Sequence, residues 1–320
     1  MKSPFFIIGC GRSGTTLLRS MLNSHKDVAI PLESLFIIDY LKTKKTINVL
    51  KKLIVDEYEI KEWGIDITYN DVKDVNDKKE LISRIHNIYT SKNNKRIWGQ
   101  KTPRFVRYGK LLKRHYPDSK FIHIIRDPRA VVSSLIESNV HKSNVLYGSR
   151  RWVNDVRKGI VLKERHPEDV LEIKYEHLVS NPKKELEKIC KFLEIKFDEN
   201  MLKYYKSKKE YREYYSRIHS KLSKPVDKKS ISKWELKLDK KQVMLIENIC
   251  GELMEKLGYK RRYKRKKTGL LYVLLLKIER KLKLFSQFKH YFLKRKEYIY
   301  SFLKRKIKLG FFKDLFNLSY

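Results

Sequence analysis

Acidic residues are the most conspicuous shortage in this 320-residue chain: 37 Asp and Glu stand against 74 Lys and Arg, a formal net charge of +37. That balance implies anionic partners, such as a phosphorylated cofactor, an acidic substrate, anionic lipid or nucleic acid. Cysteine is nearly as scarce. Cys10, Cys190 and Cys250 are far apart and odd in number, which excludes a disulfide framework or a thiolate metal cluster and suits a reducing compartment. The nine histidines form no pair at metal-ligand spacing, and His123, inside an apolar run, reads as a core residue. No apolar run approaches the ~18 residues that would span a bilayer. Met1 to Pro4 lead directly into the first strand, so no signal peptide is expected and a cytoplasmic location is. Glycine is sparse too, yet three of the twelve fall between positions 9 and 14.

That concentration organises the rest. Phe5 to Ile8 is an unbroken apolar run, the pattern of a strand buried on both faces of a parallel sheet. Gly9, Gly11 and Gly14 allow tight turning and close approach of the backbone to a ligand. Leu17, Leu18, Met21 and Leu22 then recur at helical spacing, so the segment reads strand, glycine loop, helix. Converging backbone N–H groups and the positive end of a helix make such a loop a phosphate or sulfate site. Gly9, four residues, Gly14, Thr15 and Thr16 match the phosphate-loop formula except that Thr15 stands where the lysine belongs. Arg12 is the nearest cation. A nucleotide phosphate site is expected here, and a standard ATPase or GTPase is not.

Further along, Val28 to Ile30 is strand-like and Pro31 ends it, leaving Glu33 on a loop. The stretch from Arg96 reads as a short strand ending in Lys101 with a helix behind it, and Lys120 to Arg126 as another buried strand. Asp127 is placed to cap, and Pro128 to start, the helix containing Ser134. Val170 to Tyr175 is a further strand. Asn181-Pro182 opens a helix, and another runs from Asp239 to Leu257 and ends at Gly258. Alternating strands and helices predict an α/β fold, P-loop NTPase-like, with a central parallel sheet in a three-layer αβα arrangement. Ligands then sit at the strand C-terminal ends, where Gly9–Thr16, Lys101 and Arg126 all fall. Residues 40–95 and 140–165 contain no readable motif and are expected to shape an acceptor pocket.

Taken together, these residues resemble the sulfotransferases that use 3′-phosphoadenosine-5′-phosphosulfate (PAPS). Gly11-Arg12-Ser13-Gly14-Thr15-Thr16 is similar to that family's 5′-phosphosulfate loop. Arg126-Asp127-Pro128-Arg129 with Ser134 is similar to its 3′-phosphate motif. Pro31-Leu32-Glu33-Ser34, Gln100-Lys101-Thr102-Pro103, and Lys224-Pro225-Val226-Asp227 continuing to Ser232-Lys233-Trp234 resemble the tyrosylprotein branch and its bacterial relatives. The resemblance covers about residues 4–259, a sulfotransferase domain 1–259, and leaves 260–320 as a basic helical extension. It implies transfer of a sulfuryl group from PAPS to an acceptor hydroxyl of a glycan, lipid or protein tyrosine, without a metal. Gly11, Arg12, Ser13, Gly14, Thr15 and Thr16 would hold the 5′-phosphosulfate, and Arg126 with Ser134 the 3′-phosphate. Glu33 would be the general base, and Lys101 together with Arg12 would neutralise charge on the leaving group. Tyr175 and Lys233 would add nucleotide contacts. The same pattern places Ser220 and Ser223 near the cofactor, within a covering loop at 218–227.

Blander readings stand beside these: Glu33 as a helix first-turn carboxylate, Lys101 as solvated surface, Arg126 paired with Asp127 or Asp118, and Tyr175 as core. Trp234 reads as packing. Lys260 to Tyr320 carries 20 Lys and Arg against 3 Asp and Glu. Within it Leu271, Leu274, Leu275, Ile278, Leu282 and Phe285 fall on one helical face, and a second such segment spans Phe292 to Leu309. Two uses fit: peripheral attachment to an anionic membrane, such as the inner membrane face, or docking on the main domain or on a second subunit as a homodimer. Two other function classes fit parts of the chain. A P-loop nucleotide kinase is opposed by Thr15. A nucleic-acid binder without catalysis is opposed by the lack of a recognisable module, and no specific nucleic acid is expected.

Overall fold

The computed structural model describes residues 3–138, 143–206, 223–266 and 268–312, with backbone alone over 287–294. Phe5–Gly9 forms β1. Alternation along it sends Phe5 and Ile7 to one face and Phe6 and Ile8 to the other, and all four are buried. A strand apolar on both faces belongs in a sheet's interior. β1 lies there, between β3 (Ile97–Lys101) and β4 (Lys120–Ile125). β2 (Val28–Ala29) lies beyond β3 and β5 (Val170–Lys174) beyond β4, giving a parallel sheet of order β2-β3-β1-β4-β5.

Helices cover both faces. On the Phe5/Ile7 side, Leu18 and Leu22 of α1 (Thr15–Asn23) pack with the helices Tyr175–Ser180 and Pro182–Phe192, through Leu178, Leu186 and Ile189. On the Phe6/Ile8 side residues 36–92 fold into α2 (Phe36–Lys42), α3 (Ile47–Ile54), α4 (Tyr58–Lys61) and α5 (Lys78–Lys92). Their apolar positions join α6 (Gly109–His115) in one core. Phe6 stacks on Phe121 at 5.2 Å inside it. A third core joins α7 (Pro128–Ile136), α8 (Val145–Arg165), and, after α9 (Tyr175–Ser180) and α10 (Pro182–Phe192), α11 (Lys240–Lys256).

Local signals account for most boundaries. The Asp127 carboxylate accepts from the Arg129 N–H at 2.8 Å, capping α7 with Pro128 at its first position. Asp239 and Gln242 form a reciprocal capping box on α11. Several boundaries differ from the sequence reading. The strands expected over 28–30 and 120–126 end at Ala29 and Ile125. The helical segment expected over 292–309 is broken at Arg295. The segment after Lys101 begins as a 3₁₀ turn, Pro103–Tyr108, before α6 takes over. The last strand stops at Lys174, so Tyr175 starts α9.

The chain after residue 260 lies against this body. α12 (Leu270–Lys294) reaches the third core through Leu276, Tyr272 and Val273. α13 (Lys296–Leu309) buries Arg305 against Asp39, Glu57 and Glu59 of the α2–α4 region. Among the described residues no helix is long and apolar enough to cross a membrane. Ser220 and the 218–222 part of the expected covering loop lie outside the described residues.

Candidate active site at the strand C-terminal edge

Because the strands are parallel, their C-terminal ends share one edge of the sheet, and the phosphate loop, Glu33, Lys101, Arg126 and Tyr175 all follow strand ends there. The loop after β1 is tightly wound. Gly9 takes φ +149°, where a Cβ would meet the Ile124 carbonyl oxygen at 2.5 Å. Arg12, a non-glycine residue, takes φ +72°, a left-handed conformation that costs roughly 1 kcal/mol or more. Gly14 takes φ +96° and caps α1 without a side chain, so the N–H groups of Thr15 and Thr16 begin the helix at the loop's mouth.

The two phosphate motifs meet. Arg12 Nε donates to Ser134 Oγ at 3.0 Å, and an Arg126 terminal nitrogen donates to the Arg12 carbonyl oxygen at 3.1 Å. The other terminal nitrogen of Arg126 donates to the Ser230 carbonyl at 2.7 Å, and its guanidinium lies 4.1 Å above the Tyr175 ring. Tyr175 is buried, and its hydroxyl pairs with Ser230 Oγ at 2.7 Å. Asp127 is occupied by Arg129, through bonds of 2.7 and 3.0 Å, so the pairing of Arg126 with its chain neighbour does not occur. Neither Arg12 nor Arg126 forms an ion pair with a carboxylate among the described residues. Burial, and then the neighbouring Arg126 charge, lowers the pKa of Arg12 below its ordinary value. Two more polar atoms here are buried without a hydrogen-bond partner among the described residues: Ser13 Oγ and Arg126 Nε. Paired cations and unused donors around a helix N-terminus fit an anion with several oxygens.

Glu33 and Lys101 form the second half of the site. Lys101, buried at the end of β3, pairs with the Glu33 carboxylate and reaches Thr16 Oγ1 at 3.2 Å. A proton-accepting carboxylate thus lies beside an ammonium group that also touches the first turn of α1. The solvated-surface reading of Lys101 does not hold, since its side chain is only 3% exposed. Four side chains hold the Glu33 loop. Arg19 of α1 donates to the carbonyls of Ile30 and Pro31, both at 2.9 Å. Gln100 Nε2 donates to the Leu32 carbonyl at 3.1 Å, and Thr102 Oγ1 accepts from the Ser34 N–H at 3.1 Å. Glu59 accepts from the N–H groups of Leu35 and Phe36, at 2.6 and 3.1 Å. From this strapped backbone Glu33 extends to Lys101.

Lys233 stands apart. It is exposed at the start of the 3₁₀ turn Lys233–Leu236 and makes no hydrogen bond or ion pair with the other site residues among those described. Its neighbour Trp234 is packing, buried with Ala130 and Val243 beneath Arg129. Sequence reasoning missed Ser230, Arg19 and Glu59. Arg19 carried a faint signal, a charge within an otherwise apolar helix stretch; Ser230 and Glu59 carried none. Among the described residues no cluster of three or more His, Cys, Asp or Glu is placed to hold a metal ion.

The closeness of Gly14 to Tyr175 makes one test available. A Cβ on Gly14 would lie 2.3 Å from the Tyr175 ring, the ring that supports Arg126. Gly14→Ala is expected to cost about 1–2 kcal/mol of stability through its positive φ and the displaced ring. It should also weaken nucleotide binding roughly tenfold or more, through Arg126. Denaturant titration and calorimetry on the same preparation check both effects.

Known proteins resemble this chain in sequence and in fold. Residues 4–199 match the model of the sulfotransferase family. A relative from Caenorhabditis elegans named protein-tyrosine sulfotransferase A is 27% identical over 273 residues, covering 80% of this chain and 67% of its own length. A Drosophila melanogaster relative named protein-tyrosine sulfotransferase is 26% identical over 245 residues, 72% of this chain and 46% of its own. The chain thus spans between about half and two thirds of the length of these curated relatives. Among solved structures, the sulfotransferase domain from the Synechococcus PCC 7002 olefin synthase superposes with a TM-score of 0.55 at 22% identity. That match covers 80% of this chain and 95% of the domain, a likeness of fold.

Proposed function

This chain belongs to the sulfotransferase family and is a sulfuryl-transfer enzyme, and from that premise we propose that its donor is PAPS and its acceptor a hydroxyl group. When bound, PAPS supplies a sulfuryl group on a phosphosulfate anhydride, leaving adenosine 3′,5′-bisphosphate as product. The observation that carries the reading is the junction of Arg12, Arg126 and Ser134: two guanidinium groups beyond the ends of adjacent strands, without a carboxylate partner among the described residues. In this reading Arg12, Ser13, Thr15, Thr16 and the backbone of Gly11 and Gly14 hold the 5′-phosphosulfate, and Arg126 with Ser134 holds the 3′-phosphate. Tyr175 supports Arg126 from below. Glu33 takes the acceptor's proton, and Lys101, already between Glu33 and α1, stabilises charge that grows on the leaving oxygen. Protein tyrosine stands first among acceptors on the names of the two animal relatives, with glycan and lipid hydroxyls behind it.

The donor is tested by calorimetry with adenosine 3′,5′-bisphosphate. Arg126→Ala is expected to weaken binding ~10–100-fold, the loss of charge-assisted hydrogen bonds to a phosphate. ATP should bind more weakly than the bisphosphate, since Thr15 offers no lysine. Unchanged affinity in Arg126→Ala, or preference for ATP, would refute the donor assignment. Transfer of radiolabelled sulfate from PAPS to tyrosine peptides, glycans and lipids in parallel reads the acceptor class.

A further inference from the structure

We propose that α12 lays an apolar stripe on an anionic membrane surface. The helix has two apolar sides with different fates. Tyr272, Val273 and Leu276 turn toward the body and join the core around Trp152. Asn144 Nδ2 fixes the helix there, donating to the Leu276 carbonyl at 2.6 Å and to the Glu279 carboxylate at 3.1 Å. The opposite side carries Leu271, Leu274, Leu275, Ile278, Leu282 and Phe285, whose exposures run from 48% for Ile278 to 75% for Phe285. These six recur at three- and four-residue steps over about 20 Å of helix. A docked helix ordinarily turns its wider apolar face inward; this one turns it out. α13 does the reverse and buries Tyr298, Ile299, Phe302 and Leu309. Of the two helices in the extension, α12 is the one whose described residues carry the outward leucine stripe.

Charge identifies what the stripe meets. Between residues 260 and 286 there are eleven Lys and Arg and a single acid, Glu279, which is paired with Lys283 at 2.6 Å. Lys277 and Lys281 stand exposed beside the stripe, and Lys260, Lys264, Arg265 and Lys266 are exposed in the segment leading to it. A second copy of this +37 chain would bring the same cations against the same face. Anionic headgroups supply the opposite sign, and the acyl boundary below them accepts the leucines and Phe285. The charges exclude a spanning helix, so α12 lies in the plane of the interface.

The test uses the full chain and vesicle flotation, because truncating the extension would remove α13 and uncover Asp39, Glu57 and Glu59. Wild type is expected to float with phosphatidylcholine vesicles containing phosphatidylserine and to stay behind with phosphatidylcholine alone. The variant Leu271→Ser/Leu274→Ser/Ile278→Ser/Phe285→Ser should lose at least ~100-fold in partitioning. Its melting temperature and affinity for adenosine 3′,5′-bisphosphate should be unchanged. Lys277→Gln/Lys281→Gln should lose roughly tenfold. Three results would each overturn the proposal. Wild type could fail to float with the anionic vesicles. The serine variant could float like wild type, leaving charge alone responsible. Light scattering could reveal a dimer that the serine variant dissolves, making a second copy the occupant.

Discussion

Glu33→Gln is expected to lower kcat ~10²–10⁴-fold while leaving the affinity for adenosine 3′,5′-bisphosphate within about a factor of two, because it removes a proton acceptor and keeps the shape. The reasoning starts from the loop. Arg19, Gln100, Thr102 and Glu59 tie down the backbone from Ile30 to Phe36, so the amide should occupy the carboxylate's position. Loss of rate then reports loss of basicity and not a displaced loop. Lys101→Ala makes the complementary test. It removes the cation that joins Glu33 to Thr16, so both turnover and donor binding should fall. Single-turnover transfer from PAPS, measured with bisphosphate binding on the same protein, separates the two patterns. A Glu33→Gln enzyme that turns over like wild type would remove the proposed base.

The second large effect is structural. Arg305→Met is expected to destabilise the fold by about 3–5 kcal/mol at pH 8, because it strips the cation from a buried acidic cluster. Arg305, 2% exposed in its side chain, meets Asp39 at 2.9 Å, Glu57 at 2.6 Å and Glu59 at 3.2 Å; Lys306 reaches Asp39 as well, at 2.7 Å. Even with the arginine present, burial pushes the Glu57 carboxyl up to about 7, with repulsion from Glu59 adding to it. An acid whose folded-state pKa lies above its unfolded value folds more easily protonated, so its contribution to stability declines as pH rises from about 4.5 to 7. Without Arg305 the carboxyl should rise further, and protonation should recover part of the loss. The destabilisation by Arg305→Met is therefore expected to shrink between pH 8 and pH 5. Urea unfolding at the two pH values measures it; a loss under about 1 kcal/mol at pH 8, or the same loss at both, would show the cluster contributes little. The consequence also reaches the site. The Glu59 oxygen opposite Arg305 holds the N–H groups of Leu35 and Phe36, directly after Glu33 and Ser34.

Much of this architecture was legible in one dimension because it is written in neighbouring residues. An unbroken run of four apolar residues in β1 dictates burial on both faces, and a glycine-rich turn before a helix dictates an anion site at its N-terminus. Asp127-Pro128 and Asp239 with Gln242 set helix starts by local hydrogen bonds, and the helices begin there. Less visible were contacts joining residues distant in sequence. Ser230 under Arg126, Arg19 on the Glu33 loop and Glu59 at the head of α2 have no nearby pattern that announces them. The extension shows the difference most clearly. Its amphipathic spacing was plain, yet spacing alone does not say whether an apolar face turns toward the body or away from it.

Local order of apolar, glycine and capping residues by itself determined a parallel α/β sheet with its anion-binding loop at the strand ends, since those preferences act over a few neighbouring residues. Only the tertiary structure decided that Arg12 meets Ser134, that Lys101 meets Glu33, that Arg305 pairs with three distant carboxylates, and that α12 turns its leucines outward. Each of these is a choice of partner, and in a chain this rich in lysine and arginine almost any carboxylate has many cations to choose from. Distance in the folded chain makes that choice, and composition does not.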